Sequence, residues 1–356
     1  MILGACAYDT HFEDCAVHCT DDMECPTGLA CEAEGFCRTP GSTEMCAAVE
    51  TFPSCVGLAA TCGPNADEDC CSTATPIPGG TFFRSYDVAE DGTYANSSYL
   101  ATVSPFVLDR FEVTVGRFRR FVKAGLGTQE NPPPIGAGSR RFNETDGQGG
   151  WNPEWSSMLP QHTAALAAAV KCDVNYQTWT DDETSASDVL PINCVTWYEA
   201  MAFCIWDGGH LPTEAEWNFA ASGGIEQRAY PWSSPGNSLE IDCAYANYNG
   251  DLPSGTYCAN GTVGGALRVG SESSNGDARW GHADLAGSVW AWTLDSYSTY
   301  PMPCDNCANL TVSPNRVLRG GSFFDRAPIL RVGFRYELSS TVRGGSIGVR
   351  CARSAL

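Results

Sequence analysis

Residues Pro191 to Gly224 read PINCVTWYEAMAFCIWDGGHLPTEAEWNFAASGG, and two helix starts are spelled out in them. Thr196 with Glu199, and Thr213 with Glu216, have the Thr-x-x-Glu spacing of a capping box. In that motif the threonine hydroxyl accepts the backbone N–H three residues on, and the glutamate reaches back to the cap. After the first start Trp197, Met201, Cys204 and Ile205 recur on one face, and Pro212 stands just before the second. Upstream, a third helix is predicted from Thr114, with Phe118, Phe121 and Val122 turned inward. Elsewhere from Pro76 onward the chain is Gly, Pro, Asn and Ser with scattered aromatics, which predicts irregular loops and short strands. The run from Gly125 to Trp155, with Pro132-Pro133-Pro134 and Gly147 to Gly150, predicts one long loop.

Composition limits the function classes. The 356 residues suffice for one sizeable core and a smaller module. No stretch approaches the ~18–20 consecutive apolar residues of a membrane helix. A net charge of −21 argues against nucleic acid, whose phosphates are neutralised by an excess of Lys and Arg.

The chain divides near residue 75 into a cysteine-rich module, 1–75, and a larger domain, 76–356. Of the 19 cysteines 11 precede residue 75, without zinc-finger spacing, which points to an oxidising compartment. From Cys15 to Cys71 they recur every four to nine residues, apart from the adjacent Cys70 and Cys71, with little periodic hydrophobicity, so this segment must be stapled by disulfides. It carries 13 acidic residues against the single Arg38, as either a cation-binding module or a solvated spacer, and it has no DxDxDG pattern. Leu3-Gly4-Ala5-Cys6 resembles a bacterial lipobox, and lipidation of Cys6 would leave even cysteine numbers in both parts. The ~15 or more residues of a signal peptide are missing ahead of it, so Met1 reads as an internal start or the edge of a cloned segment. An anchored Cys6 would make this an exported cell-envelope lipoprotein; otherwise the protein is extracellular and Cys6 pairs with another thiol.

Six further segments extend the reading from Pro191 to Gly224. They are IPGGTF from Ile77, SPFVLDRFEVTVGRF from Ser104, YANYNG from Tyr245, DLAGSVWAWT from Asp284, RVLRGGSF from Arg316 and GVRCA from Gly348. In this order, with LPTEAEW at Leu211 to Trp217, they resemble the formylglycine-generating enzyme (sulfatase-modifying factor) family over the last three quarters of the chain. The resemblance implies an α+β fold related to C-type lectins and rich in irregular loops. It also implies an active site after GGS with two cysteines, five residues apart, which bind copper and oxidise a substrate cysteine to formylglycine. Counted from Ser322, those positions fall on Asp325 and Leu330. Leucine ligates nothing and the soft thiolate pair suited to copper is gone, so neither copper nor formylglycine generation is expected.

The resemblance implies further pairs and ligands. One family disulfide maps to Cys204 and Cys351; the other maps to Ala221 and Arg335, both non-cysteine. By proximity in sequence, Cys172 is expected to pair with Cys194, Cys243 with Cys258, and Cys304 with Cys307. Cys304-Asp305-Asn306-Cys307 is alternatively a redox or metal motif, although no second CxxC or histidine pair completes a zinc site. One family calcium site maps to Asn247 and the carbonyl of Tyr248, with Asp251 or Asn260 as substitute third ligands. A second has Ser288 and Ala291 in place of an amide and a carboxylate, and is expected to be weak or empty. Asn247 is otherwise a turn residue.

Two function classes remain open. Between Arg316 and Arg353 lie eight arginines and two acidic residues, either a clamp for an anionic peptide, protein or glycan or a set of internal ion pairs. Arg319, Arg326 and Arg331, with Trp290, Phe323 and Phe324, are the candidate binding residues of a non-catalytic surface protein. The alternative is an enzyme of the wider superfamily that uses Ser322, Asp325 or the Cys304–Cys307 pair. The five histidines are scattered, no histidine and glutamate iron motif is visible, and Gly320-Gly321-Ser322 is neither a phosphate loop nor a GxSxG elbow.

Overall fold

Both capping boxes form. Thr196 N donates to Glu199 Oε2 (2.9 Å) and Glu199 N to Thr196 Oγ1 (3.3 Å), opening α3, Trp197–Trp206. Thr213 N donates to Glu216 Oε2 (2.9 Å) and Glu216 N to Thr213 Oγ1 (3.1 Å), opening α4, Glu214–Ser222. Gly223, with φ +67°, ends α4 in the left-handed region that glycine enters without a Cβ penalty. The helix predicted from Thr114 is α1, Val115–Lys123, capped by the Thr114 hydroxyl. Sequence reasoning missed α2, Thr163–Ala169, an alanine-rich helix of about two turns capped by the His162 ring, because it has only Leu166 fully buried and no apolar stripe. Thr213→Ala is expected to lower the unfolding free energy in urea by about 1 kcal/mol.

The computed structural model describes residues 30–31, 37–40, 52–72, 74–139, 149–182, 186–250, 257–259 and 264–355. It separates into two units, Met1–Thr51 and Phe52–Leu356. Of the first, residues 30–31 and 37–40 are described, and they include an antiparallel pair, β1 (Ala30–Cys31) with β2 (Cys37–Arg38). Cys6 and its lipobox lie outside the described residues, as do Asp251 and Asn260.

In the second unit, β3 (Gly80–Phe83) pairs with β4 (Leu100–Val103), and β5 (Phe106–Leu108) pairs with β10 (Ala352–Ser354), both antiparallel. A four-stranded sheet in the order β8-β7-β6-β9 is its centre: β6 Trp290–Ser296, β7 Asn315–Arg319, β8 Tyr336–Ser339 and β9 Ile347–Gly348. β6 is buried along its whole length, and period-two alternation sends its side chains to opposite layers. Trp290, Trp292 and Leu294 pack with α1 and α3, whereas Ala291 packs with α4, and Asp295 accepts the N–H of Glu214 at 2.7 Å. Among the described residues no helix is long and apolar enough to cross a membrane.

The split between the two units falls between Thr51 and Phe52, so the stretch from Phe52 to Cys71 belongs to the second unit. Ser54 N donates to Asp207 Oδ1 (3.0 Å) and Ser54 Oγ accepts from Arg117 Nε (2.9 Å), deep in the second unit. The disulfides Cys55–Cys71 and Cys62–Cys70 therefore staple a segment that is hydrogen-bonded to the larger core. Cysteine density marked the stapled stretch but carried no information on which core receives it.

Candidate functional site

The segment after β7 builds the site. Gly320 (φ +98°) and Gly321 (φ +74°) turn the chain away from the sheet, and a Cβ on Gly321 would stand 2.9 Å from Leu330 Cδ1. Two glycines are required there by backbone angle and by space. Ser322 follows, and its Oγ and N both donate to Asp325 Oδ2, at 2.6 and 3.0 Å, while Asp325 N donates to the Ser322 carbonyl at 3.0 Å. Phe323 N donates to Ser288 O (2.9 Å) and Asn249 N to Asp325 O (2.9 Å), so the turn is held from two sides.

Asp325 opens into a cleft of about 360 Å³. Its walls are aromatic and aliphatic: Trp290 from β6, Leu318 from β7, Tyr336 and Leu338 from β8, and Ile347 from β9, with Phe324, Ile329 and Phe334 from the connecting loops. Trp290 lies 5.5 Å from Tyr336 and 6.0 Å from Phe334 between ring centroids, tilted by 32° and 47°. Burial pushes the Asp325 carboxyl up, and hydrogen bonds from Ser322 and Trp290 offset part of that. Ser322, Phe324 and Asp325, neighbours in sequence, are thus brought together with Trp290, which lies more than thirty residues earlier. Sequence reasoning missed Phe334, Tyr336, Leu338 and Ile347; the alternation of Phe334, Tyr336 and Leu338 around β8 was the only signal for them.

The remaining candidates lie elsewhere. Phe323 is fully buried behind the turn. Leu330, the partner position of Asp325 in the resemblance, is fully buried in the apolar cluster of Tyr230, Trp232 and Tyr248. Arg319 is buried and donates to Glu214, Tyr300 and the carbonyls of Val332 and Phe334, and Arg331 is buried against Asp87 and Asp91. Both are spent on internal partners, so neither offers a clamp to an anion. Arg335 with Glu214, Arg343 with Glu199 and Arg353 with Asp109 and Asp207 complete the same pattern, and Arg326 is exposed but lies outside the cleft lining. The local arginine excess is structural because its carboxylate partners sit far away in sequence.

Cys204 bonds to Cys351, Cys172 to Cys194, Cys243 to Cys258 and Cys304 to Cys307. With Cys55–Cys71 and Cys62–Cys70, all twelve cysteines from Phe52 onward are paired. Asn247 is buried, its Nδ2 donating to Gly265 O (2.9 Å) while its Oδ1 has no hydrogen-bond partner. The Tyr248 carbonyl accepts Cys258 N at 3.1 Å. Ser288 Oγ donates to buried Glu112 (2.8 Å), tying the GSVWAW segment to the strand end before α1. A second cleft, about 540 Å³, is lined by Tyr94, Tyr99, Tyr297 and Tyr300 with Arg84 and Arg335, and no sequence signal pointed to it.

Comparison with known proteins places this geometry. Residues 60–355 match the sulfatase-modifying factor enzyme 1-like domain family. The chain is 28% identical over 303 residues to the formylglycine-generating enzyme of Mus musculus, covering 79% of this chain and 75% of that protein. It is 29% identical over 294 residues to the inactive C-alpha-formylglycine-generating enzyme 2 of Mus musculus, covering 78% of this chain and 85% of that protein. The structure of PvdO from Pseudomonas aeruginosa shares the fold, with a TM-score of 0.51 and 17% identity over 81% of this chain and all of that one.

Proposed function

The chain belongs to the sulfatase-modifying factor enzyme 1-like domain family, and from that premise we propose that it is a non-catalytic, exported binding protein on the family scaffold. The observation that carries this is the state of its sulfur: the two positions assigned to the oxidase cysteines are Asp325 and the core residue Leu330, and every cysteine from Phe52 onward is in a disulfide. Oxidation of a substrate thiol by the family route needs a thiolate to attack or to hold copper, and none is free in this unit. Six disulfides in one unit also support an oxidising, extracytoplasmic location. Anchoring through a lipid on Cys6, and the lectin-like ancestry of the scaffold, belong to the same reading.

An enzyme using Ser322 would have to pass its proton to Asp325, which accepts the hydroxyl at 2.6 Å, since no histidine stands among the described cleft residues. Calcium fits at Asn247 and Tyr248 in part. The orphaned Asn247 Oδ1 is an oxygen donor of the right hardness, and the Tyr248 carbonyl retains one lone pair. Bound there, the ion would brace the segment whose Asn249 holds the Asp325 backbone.

Alkylation of unreduced, denatured protein followed by intact mass should find no free thiol from Phe52 onward. A sulfatase-type cysteine peptide incubated with copper-supplemented protein should keep its thiol. Labelling of Cys304 and Cys307, or conversion of the peptide to an aldehyde, would make the protein an enzyme and end this reading.

A further inference from the structure

Charge and shape in the Asp325 cleft select the ligand more narrowly than the fold does. Among the described lining residues Asp325 is the one carboxylate, and no lysine, arginine or histidine is among them. A half-buried carboxylate with no cation beside it is a site that gains from receiving one. The neighbouring rings present faces and edges around it, and aromatic walls attract a cation through their quadrupoles. Leu338, Ile347 and Ile329 supply an aliphatic lining along which a carbon chain can run.

Resting on the reading of the protein as a binding module, we propose that this cleft receives the alkylammonium side chain of an exposed lysine on a partner protein. The ammonium meets Asp325, and the four-carbon stem lies against Trp290, Phe334 and Tyr336. A guanidinium fits less well. Asp325 Oδ2 already accepts from Ser322 N (3.0 Å) and Ser322 Oγ (2.6 Å), so the carboxylate cannot offer two free oxygens to a planar fork. A compact point charge needs only the remaining lone pairs. The anionic ligand suggested by the arginine count has no counterpart in this cleft, since none of those arginines is among its described lining residues.

The test uses the full chain and three small probes: Nα-acetyl-lysine methylamide, its arginine analogue and its norleucine analogue, titrated by calorimetry. The lysine compound should bind saturably and about tenfold more tightly than norleucine, the scale of a desolvated cation–π and ion-pair contact. Asp325→Asn keeps an oxygen for Ser322 and should remove that preference while leaving norleucine binding unchanged. Tyr336→Ala, at an exposed ring on β8, should weaken both and guards against a folding artefact at the turn. Equal binding of lysine and norleucine, preference for arginine, no binding of lysine at millimolar concentration, or an unaffected Asp325→Asn would each overturn the inference. Mass analysis of the recovered lysine compound separates the two readings: an altered mass would overturn the non-catalytic assignment, whereas unaltered lysine with a norleucine preference overturns only the choice of ligand.

Discussion

Replacing Arg117 with leucine should lower the unfolding free energy by about 3–5 kcal/mol, the range for stripping one partner from a buried ion pair. Arg117 bridges Asp109 Oδ2 (2.8 Å) and Asp207 Oδ2 (2.6 Å), and Arg353 bridges the same two carboxylates from the other side. All four side chains are almost completely buried, so the ring is two cations and two anions removed from bulk solvent. Ser54 adds its N–H to Asp207 and its hydroxyl to Arg117, which is how the stapled segment from Phe52 joins α1, α3 and β10. Leucine has the volume of the stem but leaves two carboxylates facing one arginine.

Acid titration separates that charge effect from a packing defect. Burial raises the Asp109 carboxyl, but the Arg117 and Arg353 charges more than offset it and hold it below its usual 3.8. A depressed carboxyl contributes stability above the unfolded-state value and loses it as pH falls through the folded-state value. The wild type should therefore weaken below about pH 4, the usual carboxylate range. In Arg117→Leu the same acidification neutralises a carboxylate that has lost its partner, so the gap between the two proteins should narrow. A gap that is constant from pH 7 to pH 3, or a neutral-pH loss below about 1 kcal/mol, would show that the ring is ornamental to stability.

What could be read from the sequence follows the range of the interaction. Thr196–Glu199 and Thr213–Glu216 act over three residues, and α3 and α4 were legible for that reason. His162 capping α2 was not, because an imidazole cap has no place in the usual cap preferences. Ser322 and Asp325 were singled out, and they meet because they are three residues apart in the turn that follows Gly320 and Gly321. The cleft they open into was not legible: its walls come from four strands and two loops between Trp290 and Ile347, and only strand pairing juxtaposes them. The arginines left two readings open for the converse reason. A count from Arg316 to Arg353 sees Asp325 and Glu337, but the groups that neutralise the arginines are Asp87, Asp109, Glu199, Asp207 and Glu214.

Removing the disulfide between Cys204 and Cys351, as the double alanine variant, should cost on the order of 5 kcal/mol. The bond closes a separation of 147 residues, and in the chain-entropy account the constraint on the unfolded chain grows with the logarithm of the loop. Cys304 and Cys307 are three residues apart, and the same account gives that pair on the order of 1.5 kcal/mol. The comparison within one protein therefore tests the origin of the effect. If denaturant midpoints fall equally for the two double variants, loop entropy is not what the long bridge supplies. Cys351 also stands between the ring and the sheet: its carbonyl accepts Asp109 N (2.9 Å), and Arg353 follows two residues later on β10. Loss of the bridge frees the segment that aligns Arg353 with Asp109 and Asp207. The triple variant with Arg117→Leu should accordingly lose less than the sum of its parts, since each change disables the same junction. Strict additivity would mean that α3 and β10 are held in register by the apolar core alone, and that ring and disulfide stabilise the fold independently.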